Sequence, residues 1–519
     1  MPIVAITALS IWIESWRFGF RTPSLIDDWF GVTYSAPAFH ALIHGAFGSS
    51  GLDFPGRYRP AYTGIWDFAQ WHVLGRPSLA AAAAWGVIRS IFFVTAVWLL
   101  TAFLVPRRRR QPLIWLPSLA VALTPAIAVI LVRYGPGEPM MVGGVIVGLC
   151  LFGRGAVMLL GRPCRHRTRA LALLAVGYAV YLLGVYSKEN SIALLAFVPF
   201  FLKWASPALR EYVARARMNR YVIGAGAALL IAPLLHLGFH VAAAAVTRQS
   251  PWPNAHLSLG LKVYSALVSP FFPMPGIFHT WTWFFAPPAA IGTAVALARR
   301  RHRDAWLVAG VLVTGFLMAA FSLARGPEVA NYYLPWLIAI AVVAFRGLCH
   351  LPVRITATLG LLVVLMAFGT RQALTNWQRT ERSSEVAISW AKGVADAGCP
   401  LYLANFDIEQ RVALPLFFRF TDGTLRNRCA SASSEAYVVS WKGKPLPNTF
   451  RDQCHVNWST VATSPGVGLY RCRSFEAGWI PDQYAASGHP EVTVVRVAVP
   501  SHRPLPRQIF QSQPLQTHT

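Results

Sequence analysis

The sequence predicts an all-α, polytopic membrane protein that ends in a small α/β domain outside the membrane. Three observations lead to this prediction. Of the 519 residues, 55% are hydrophobic and only 13% are charged, which is about half the charged fraction of a soluble protein. The hydrophobic residues form runs of roughly 20, the length that an α-helix needs to cross a bilayer. After residue 370 this pattern ends, and four of the seven cysteines follow.

The apolar runs predict about eleven membrane helices. Arginine-rich clusters occupy alternate connections between them, and short cytoplasmic loops are the ones that carry excess Lys and Arg. The N-terminus is therefore predicted to be cytoplasmic and the C-terminal domain extracytoplasmic. The predicted helices lie near residues 3–20, 84–105, 113–132, 139–160, 170–186, 191–205, 221–240, 281–298, 305–323, 334–349 and 355–370.

The net charge of +26 raises the question of nucleic-acid binding. Much of the excess lies in the short arginine-rich loops, where it sets topology and contacts anionic lipid headgroups. The sequence therefore predicts membrane lipids as partners and no nucleic acid. The first apolar run lacks the basic region and cleavage site of a signal peptide, so it is predicted to stay as the first helix of a multi-pass protein of the plasma (inner) membrane.

The first predicted outer loop begins with two adjacent carboxylates, Asp27 and Asp28, followed by Trp29. Adjacent carboxylates are costly unless one is protonated or a cation lies nearby. The pair therefore suits a general base or a divalent metal site. The alternative is a solvated helix end with an interfacial tryptophan. Metal dependence stays open at this stage, and no other cofactor is predicted.

Further charged side chains lie at predicted outer positions. Arg57 and Arg59 stand two residues apart in the first loop, so on an extended segment they point to one side and could bind a phosphate group. The alternative is a pair of surface arginines. The other candidates for substrate binding stand at later outer helix ends, where an ordinary ion pair or an aromatic belt is the competing interpretation: Glu138, Lys188, Glu189, Arg325 and Tyr332.

The order of these motifs resembles a known pattern. Asp-Asp-Trp and Arg-Tyr-Arg-Pro in the first outer loop, Lys-Glu-Asn at a later outer helix end and Tyr-Tyr-Leu-Pro near the last helices resemble the GT-C superfamily of membrane glycosyltransferases. The nearest likeness is to the protein O-mannosyltransferase type and its bacterial relatives. The resemblance covers roughly residues 1–370. One departure is that only Glu138 is available as a second acid in the next outer loop.

The resemblance implies an activity and roles for the residues. A hexose or pentose would move, with inversion, from a polyprenyl-phosphate donor to a hydroxyl of a glycan or protein acceptor at the outer face. Asp28 or Asp27 would be the base. Arg57 and Arg59 would belong to the same first-loop site, and Arg325 would contact the lipid phosphate.

Two other classes of protein compete with this hypothesis. A flippase or transporter of cell-envelope precursors would carry ionisable groups or broken helices near the bilayer midplane, whereas the charges here collect at outer helix ends. A scaffold that only displays its terminal domain would need no ordered set of acidic and basic residues in the first loop.

The chain is predicted to have three parts: a membrane module over residues 1–370, an extracytoplasmic domain over 371–499 and a tail without fixed structure over 500–519. Residues 400–404 and 436–441 have the composition of strands. An even number of cysteines in a small extracytoplasmic domain predicts two disulfides. Three connectivities are open, and sequence order favours Cys399–Cys429 and Cys454–Cys472.

Overall fold

The structure is a computed structural model that describes most of residues 79–104, 116–132, 137–160, 167–188, 190–217, 220–247, 286–298, 302–325, 333–406, 435–441 and 457–474, with a few single positions between these ranges. The helices in this part are α1 (Leu79–Leu104), α2 (Leu116–Ala122), α3 (Pro125–Val132), α4 (Glu138–Leu160), α5 (Arg167–Val185), α6 (Ser191–Arg217), α7 (Arg220–Thr247), α8 (Ala286–Ala298), α9 (His302–Arg325), α10 (Leu334–Leu348) and α11 (Val353–Asp396). The strands are β1 (Leu401–Ala404), β2 (Ala436–Trp441), β3 (Ser459–Ser464) and β4 (Val467–Cys472).

The predicted architecture, mostly helical with a small sheet near the C-terminus, is confirmed. Within the described residues, α4, α5 and α11 are long and apolar enough to cross a membrane, judged by length and composition, and several shorter helices are also apolar. The count of about eleven spans stays a prediction, and the first predicted helix, over residues 3–20, lies outside the described residues.

The predicted helix over residues 113–132 is broken in the structure. Pro125 has no N–H to offer the carbonyl of Val121, so Thr124 donates to that carbonyl instead, at 3.2 Å, and α3 starts anew at Pro125. The break frees the carbonyl of Leu123. The hydroxyl of Thr370, on α11, donates to it at 2.7 Å. The carbonyl that Pro125 cannot serve is thus satisfied locally, whereas a side chain from a distant helix satisfies a second carbonyl at the break.

The helices α4 and α5 pack backbone against backbone because glycines line their contact. A Cβ placed on Gly144 would lie 2.5 Å from the Cα of Gly184, and one on Gly148 would lie 2.5 Å from the backbone nitrogen of Tyr181. Such distances leave no room for a methyl group. Small residues at four-residue spacing are what allow membrane helices to approach this closely.

A buried ion pair connects four helices, three of them at their ends. Arg346 of α10 donates through Nε to Asp304 of α9 at 2.8 Å, and its Nη1 donates to the carbonyl of Leu104 at the end of α1. Trp204 of α6 also donates to Asp304, at 2.9 Å. Asp304 lies in the first turn of α9, where the helix dipole favours a negative charge. Arg346 satisfies one of the carbonyls that every helix C-terminus leaves open.

The last membrane helix is longer than predicted. The apolar part ends near residue 370 as expected, but α11 continues to Asp396. Loss of hydropathy ends a membrane span and not a helix, and the helix stops only where Gly398 adopts a positive φ of 68°. The amides of Gly398 and Cys399 donate back to the carbonyls of Ala395 and Val394, a common helix ending.

The chain divides into two compact units, and for the described residues the boundary falls between Leu374 and Thr375. The second unit contains a four-stranded sheet of order β1-β2-β4-β3. Strand β1 pairs parallel with β2, whereas β4 pairs antiparallel with both β2 and β3. The two strands predicted from the sequence, over 400–404 and 436–441, are therefore present as β1 and β2.

The small domain is held by a disulfide in its core. Cys454 and Cys472 are joined, as sequence order favours, and both lie in a cluster with Tyr402 and Val438. Cys399 is disulfide-bonded as well, whereas Cys429 lies outside the described residues. The predicted tail over residues 500–519 also lies outside them.

Candidate functional site

The candidate site is centred on a buried ion pair at two predicted outer helix ends. Glu138 is the first residue of α4, and Lys188 lies between α5 and α6. The Nζ atom of Lys188 lies 2.6 Å from Oε1 of Glu138, with 7% of the lysine side chain and none of the glutamate side chain exposed. Glu138 lies in the first turn of α4, where the helix dipole further stabilises its carboxylate. The pair therefore joins α4 to the connection between α5 and α6.

The connection that carries Lys188 is short and rich in hydrogen bonds. The Ser187 hydroxyl donates to the carbonyl of Leu183 at 2.5 Å, and the Ser191 hydroxyl donates to the carbonyl of Val185 at 3.3 Å. The amide of Ser191 donates to the carbonyl of Lys188 at 3.2 Å. Both serines are buried. These bonds hold the backbone at Lys188 in place and direct its side chain towards α4.

The electrostatics of the site follow from this burial. A buried carboxylate and a buried ammonium are stable together, but removal of either leaves a charge in an apolar setting at a cost of several kcal/mol. The pair adds no net charge to the helix ends. An anionic substrate group that approached Lys188 would compete with Glu138 for the ammonium, so the glutamate controls how much positive charge the site presents.

A second group of side chains lies at the start of α10. Tyr333 is buried and packs against Ala193 of α6 and Met318 of α9, with Trp336 beside them. Ala193 lies only five positions after Lys188 in the sequence. The predicted outer ends of α6, α9 and α10 therefore meet close to the connection that carries Lys188, as expected for a site built from several outer helix ends.

Sequence reasoning missed two buried polar residues in this half of the helices. Arg89 of α1 is 1% exposed, and the neighbouring Ser90 hydroxyl donates to the carbonyl of Leu131 at 3.5 Å. His236 of α7 is 2% exposed, and its ring lies 5.0 Å from that of Tyr186. A lone ionisable residue inside an apolar run was the signal for both, because such residues are rare in membrane helices and usually functional.

The structure brings together two of the residues predicted from the sequence, Glu138 and Lys188, which are 50 positions apart. The sequence did not indicate that these two residues pair, because nothing in their spacing brings α4 to the connection between α5 and α6. Arg325 is the last residue of α9, and the structure describes its backbone only. The remaining predicted residues lie outside the described part, so their roles stay predictions: Asp27, Asp28, Arg57, Arg59, Glu189 and Tyr332.

The metal site predicted at Asp27 and Asp28 falls outside the described residues as well. Within the part of the chain that the structure describes, no group of three or more His, Cys, Asp or Glu side chains is arranged to hold a metal ion.

No protein-family model matches the chain, and no curated protein sequence matches it significantly. Solved structures with a similar fold include ArnT from Cupriavidus metallidurans. Its undecaprenyl-phosphate-bound structure is 12% identical, with a TM-score of 0.50, and its apo structure 11% identical, with a TM-score of 0.52. Both comparisons cover 90% of this chain and 97% of ArnT. An Archaeoglobus fulgidus oligosaccharyltransferase tethered to an acceptor peptide matches with 14% identity and a TM-score of 0.44, over 82% of this chain and 61% of that one.

ArnT is a membrane glycosyltransferase of the GT-C superfamily. The resemblance that the sequence motifs indicated is therefore confirmed at the level of the fold. The described part of this chain is mostly helical, with several apolar helices and a fold similar to that of ArnT. Its buried Glu138–Lys188 pair lies at the helix ends where the sequence predicted the substrate site.

Proposed function

We propose that this protein is an integral membrane glycosyltransferase that moves a sugar from a polyprenyl-phosphate donor to an acceptor hydroxyl at the outer face of the plasma membrane. The observation that carries the proposal is the fold shared over 90% of the chain with ArnT, one of whose structures is bound to undecaprenyl phosphate. The buried Glu138–Lys188 pair supports it, because it places a cation near the predicted outer surface. The transferred group is a hexose or pentose, and the acceptor is a glycan or a protein.

The reaction is a single displacement. The acceptor oxygen forms a bond to the anomeric carbon while the bond from that carbon to the phosphate oxygen breaks, and the electron pair leaves with the lipid phosphate. A neutral hydroxyl is a poor nucleophile, so Asp28 takes its proton as the bond forms. Attack from the side opposite the leaving group inverts the configuration of the sugar.

Positive side chains supply the rest of the catalysis. The lipid phosphate gains charge as it departs, and cations held in place before the reaction lower the energy of that state. We assign this role to Arg57, Arg59 and Arg325, with Lys188 as a fourth cation whose charge Glu138 restrains. Tyr332 and Glu189 belong to the same predicted surface and contact the substrate there.

The substitution that tests the proposal is Asp28→Asn, with Asp27→Asn as its matched neighbour. Asparagine has nearly the shape of aspartate but cannot accept the proton. Loss of a positioned base slows a reaction by roughly 10²–10⁴-fold, so Asp28→Asn should reduce transfer at least that much while expression and membrane insertion persist. Transfer is measured with purified protein, a radiolabelled polyprenyl-phosphate sugar and a panel of glycan and peptide acceptors.

The Asp27→Asn variant tests whether a metal ion takes part in the reaction. If a divalent cation bridges the two carboxylates, Asp27→Asn is similarly damaging and excess cation restores part of the activity. If Asp27 is only a solvated neighbour, its variant keeps most of the activity. An Asp28→Asn protein that transfers sugar at the wild-type rate would contradict the assignment, and it would favour Glu138 as the base or a lipid flippase in place of an enzyme.

A further inference from the structure

Helix α7 contains an internal proline whose missing hydrogen bond is supplied by another helix. Pro233 has no N–H, so the carbonyl of Leu229, one turn earlier, lacks its usual donor four residues later in the helix. The hydroxyl of Tyr181, on α5, donates to that carbonyl at 2.7 Å. Tyr181 itself is 1% exposed. An unsatisfied carbonyl in a bilayer costs several kcal/mol, so Tyr181 stabilises the interruption of α7.

Only a narrow face of α7 is buried near Pro233. Among its described side chains, Ala232, Pro233 and His236 are buried, whereas Leu230 and Leu234 are 69% and 62% exposed. Most of the described side chains near Pro233 are thus exposed, at positions that we expect to face lipid. A helix with few buried contacts and an open point in its hydrogen bonding bends more readily than a densely packed one.

The segment beyond the proline connects to the candidate site. His236 lies less than one turn after Pro233, and its ring lies 5.0 Å from that of Tyr186. Lys188 lies two positions after Tyr186 in the sequence, and its ammonium donates a hydrogen bond to Glu138. A displacement of α7 beyond Pro233 would therefore act on Tyr186 and on the short connection that sets the position of Lys188.

We propose that Pro233 is a hinge about which the outer segment of α7, residues 234–247, moves relative to residues 220–232, with Tyr181 as the side chain that holds the hinge closed. The motion opens the side of the protein to the bilayer and adjusts Lys188 at the same time. It provides a route by which a lipid-linked donor reaches the site from within the membrane, and this purpose rests on the proposed function.

A double-mutant cycle tests the contact at the hinge. Pro233→Ala restores an N–H to the carbonyl of Leu229, so that carbonyl no longer depends on Tyr181. We expect Tyr181→Phe to lower the thermal unfolding temperature of the wild-type protein, and to lower it by less than half as much when Pro233→Ala is present. Equal effects in both backgrounds would show that Tyr181 does not support the proline break.

The matched control is Tyr178→Phe. The Tyr178 hydroxyl lies 3.5 Å from the carbonyl of Ala228, and the residue four positions on, Ala232, can donate an N–H to that carbonyl. Its loss should therefore have little effect on the unfolding temperature, and the effect should not depend on Pro233.

Spin-label distances test the motion itself, independently of sugar transfer. Labels are placed at lipid-exposed positions, Val176 on α5 with either Leu237 or Ile223 on α7, after Cys150, Cys164 and Cys349 are replaced by alanine. The protein is reconstituted in nanodiscs of phosphatidylethanolamine and phosphatidylglycerol. Without any ligand, the distance from 176 to 237 should be broadly distributed in the wild type and narrow in Pro233→Ala, while the distance from 176 to 223 is narrow in both.

Undecaprenyl phosphate serves as the probe for coupling to the site. Its addition should shift the distance from 176 to 237 and leave the distance from 176 to 223 unchanged. Equal widths without ligand, or equal shifts of both distances, would overturn the hinge. A broad wild-type distribution that does not respond to undecaprenyl phosphate would retain the hinge and contradict its role in lipid access. Failure of sugar transfer alone would contradict the proposed function and leave the hinge in place.

Discussion

At the scale of single residues, some backbone carbonyls of the helical part are satisfied by side chains from other helices. The two proline breaks show this most directly. Pro125 frees the carbonyl of Leu123, which receives the hydroxyl of Thr370, and Pro233 frees the carbonyl of Leu229, which receives the hydroxyl of Tyr181. Lipid offers no hydrogen bonds, so each interruption of a helix needs such a partner.

The Glu138–Lys188 pair yields a prediction at this scale. Glu138→Gln should destabilise the protein by roughly 3–5 kcal/mol, because it leaves the buried ammonium of Lys188 without the carboxylate that lies 2.6 Å away. Adding Lys188→Met should restore much of the loss, since a neutral pair carries no buried charge. Thermal unfolding of the purified variants measures both effects.

The matched control is the exposed pair of Lys392 and Asp396, whose side chains are 24% and 55% exposed. Lys392→Met should cost well under about 1 kcal/mol, because solvent screens such pairs. If Glu138→Gln proved as mild as this control, the buried pair would not be contributing to stability and its geometry would need another explanation.

At the scale of elements, the contact between α4 and α5 depends on glycines rather than on large apolar side chains. Gly144→Ala should push the helices apart and destabilise the protein by roughly 1–3 kcal/mol, because the added methyl would meet the backbone of Gly184 at 2.5 Å. Gly153 stands on the same helix, and a methyl group added there would meet nothing within 4 Å. At that position the same substitution should be neutral or stabilising by up to about 1 kcal/mol.

Thermal unfolding of the Gly144→Ala and Gly153→Ala proteins, measured side by side, tests whether the close helix contact causes the loss of stability. A loss of stability for Gly153→Ala as large as that for Gly144→Ala would attribute the effect to the change of residue type and not to the contact between the helices. The comparison is sharp because both positions lie within α4 and receive the same additional methyl group.

At the scale of the whole molecule, the sequence predicts that the chain has a membrane module and a C-terminal domain outside the membrane. The predicted extracytoplasmic side is oxidising, and the disulfide between Cys454 and Cys472 lies within the core of the C-terminal unit. Mass spectrometry of the unreduced protein should find these two cysteines joined and Cys150 and Cys349 free. Free thiols at Cys454 and Cys472 would contradict the outer placement of this unit.

Removal of this disulfide should affect stability more than chemistry. Cys454→Ala with Cys472→Ala should cost the C-terminal unit roughly 2–5 kcal/mol, visible as a lower unfolding temperature of that unit. Sugar transfer below this temperature should persist, because neither cysteine is among the residues to which we assign the reaction. Complete loss of transfer in a folded variant would show that the C-terminal unit takes part in the reaction.

The sequence by itself determined the class of the protein. Apolar runs, arginine-rich loops and clustered cysteines predict the helical module, the small domain and two of its strands, because burial in lipid or in a core requires these patterns locally. The spacing of motifs also predicted the fold resemblance and placed Glu138 and Lys188 at outer helix ends. These features depend on neighbouring residues, so they can be interpreted without knowing which helices touch.

Only the tertiary structure showed which distant residues contact each other. Nothing in the local sequence indicates that Lys188 pairs with Glu138, 50 positions away, or that Tyr181 supports a proline on another helix. Likewise α11 continues past residue 370 because a change in hydropathy ends a membrane span without ending a helix. Pairings between distant residues depend on how the helices pack, and packing is a property of the whole chain. The carbonyl of Leu229 on α7 receives a side chain of α5 because the fold places α5 beside it.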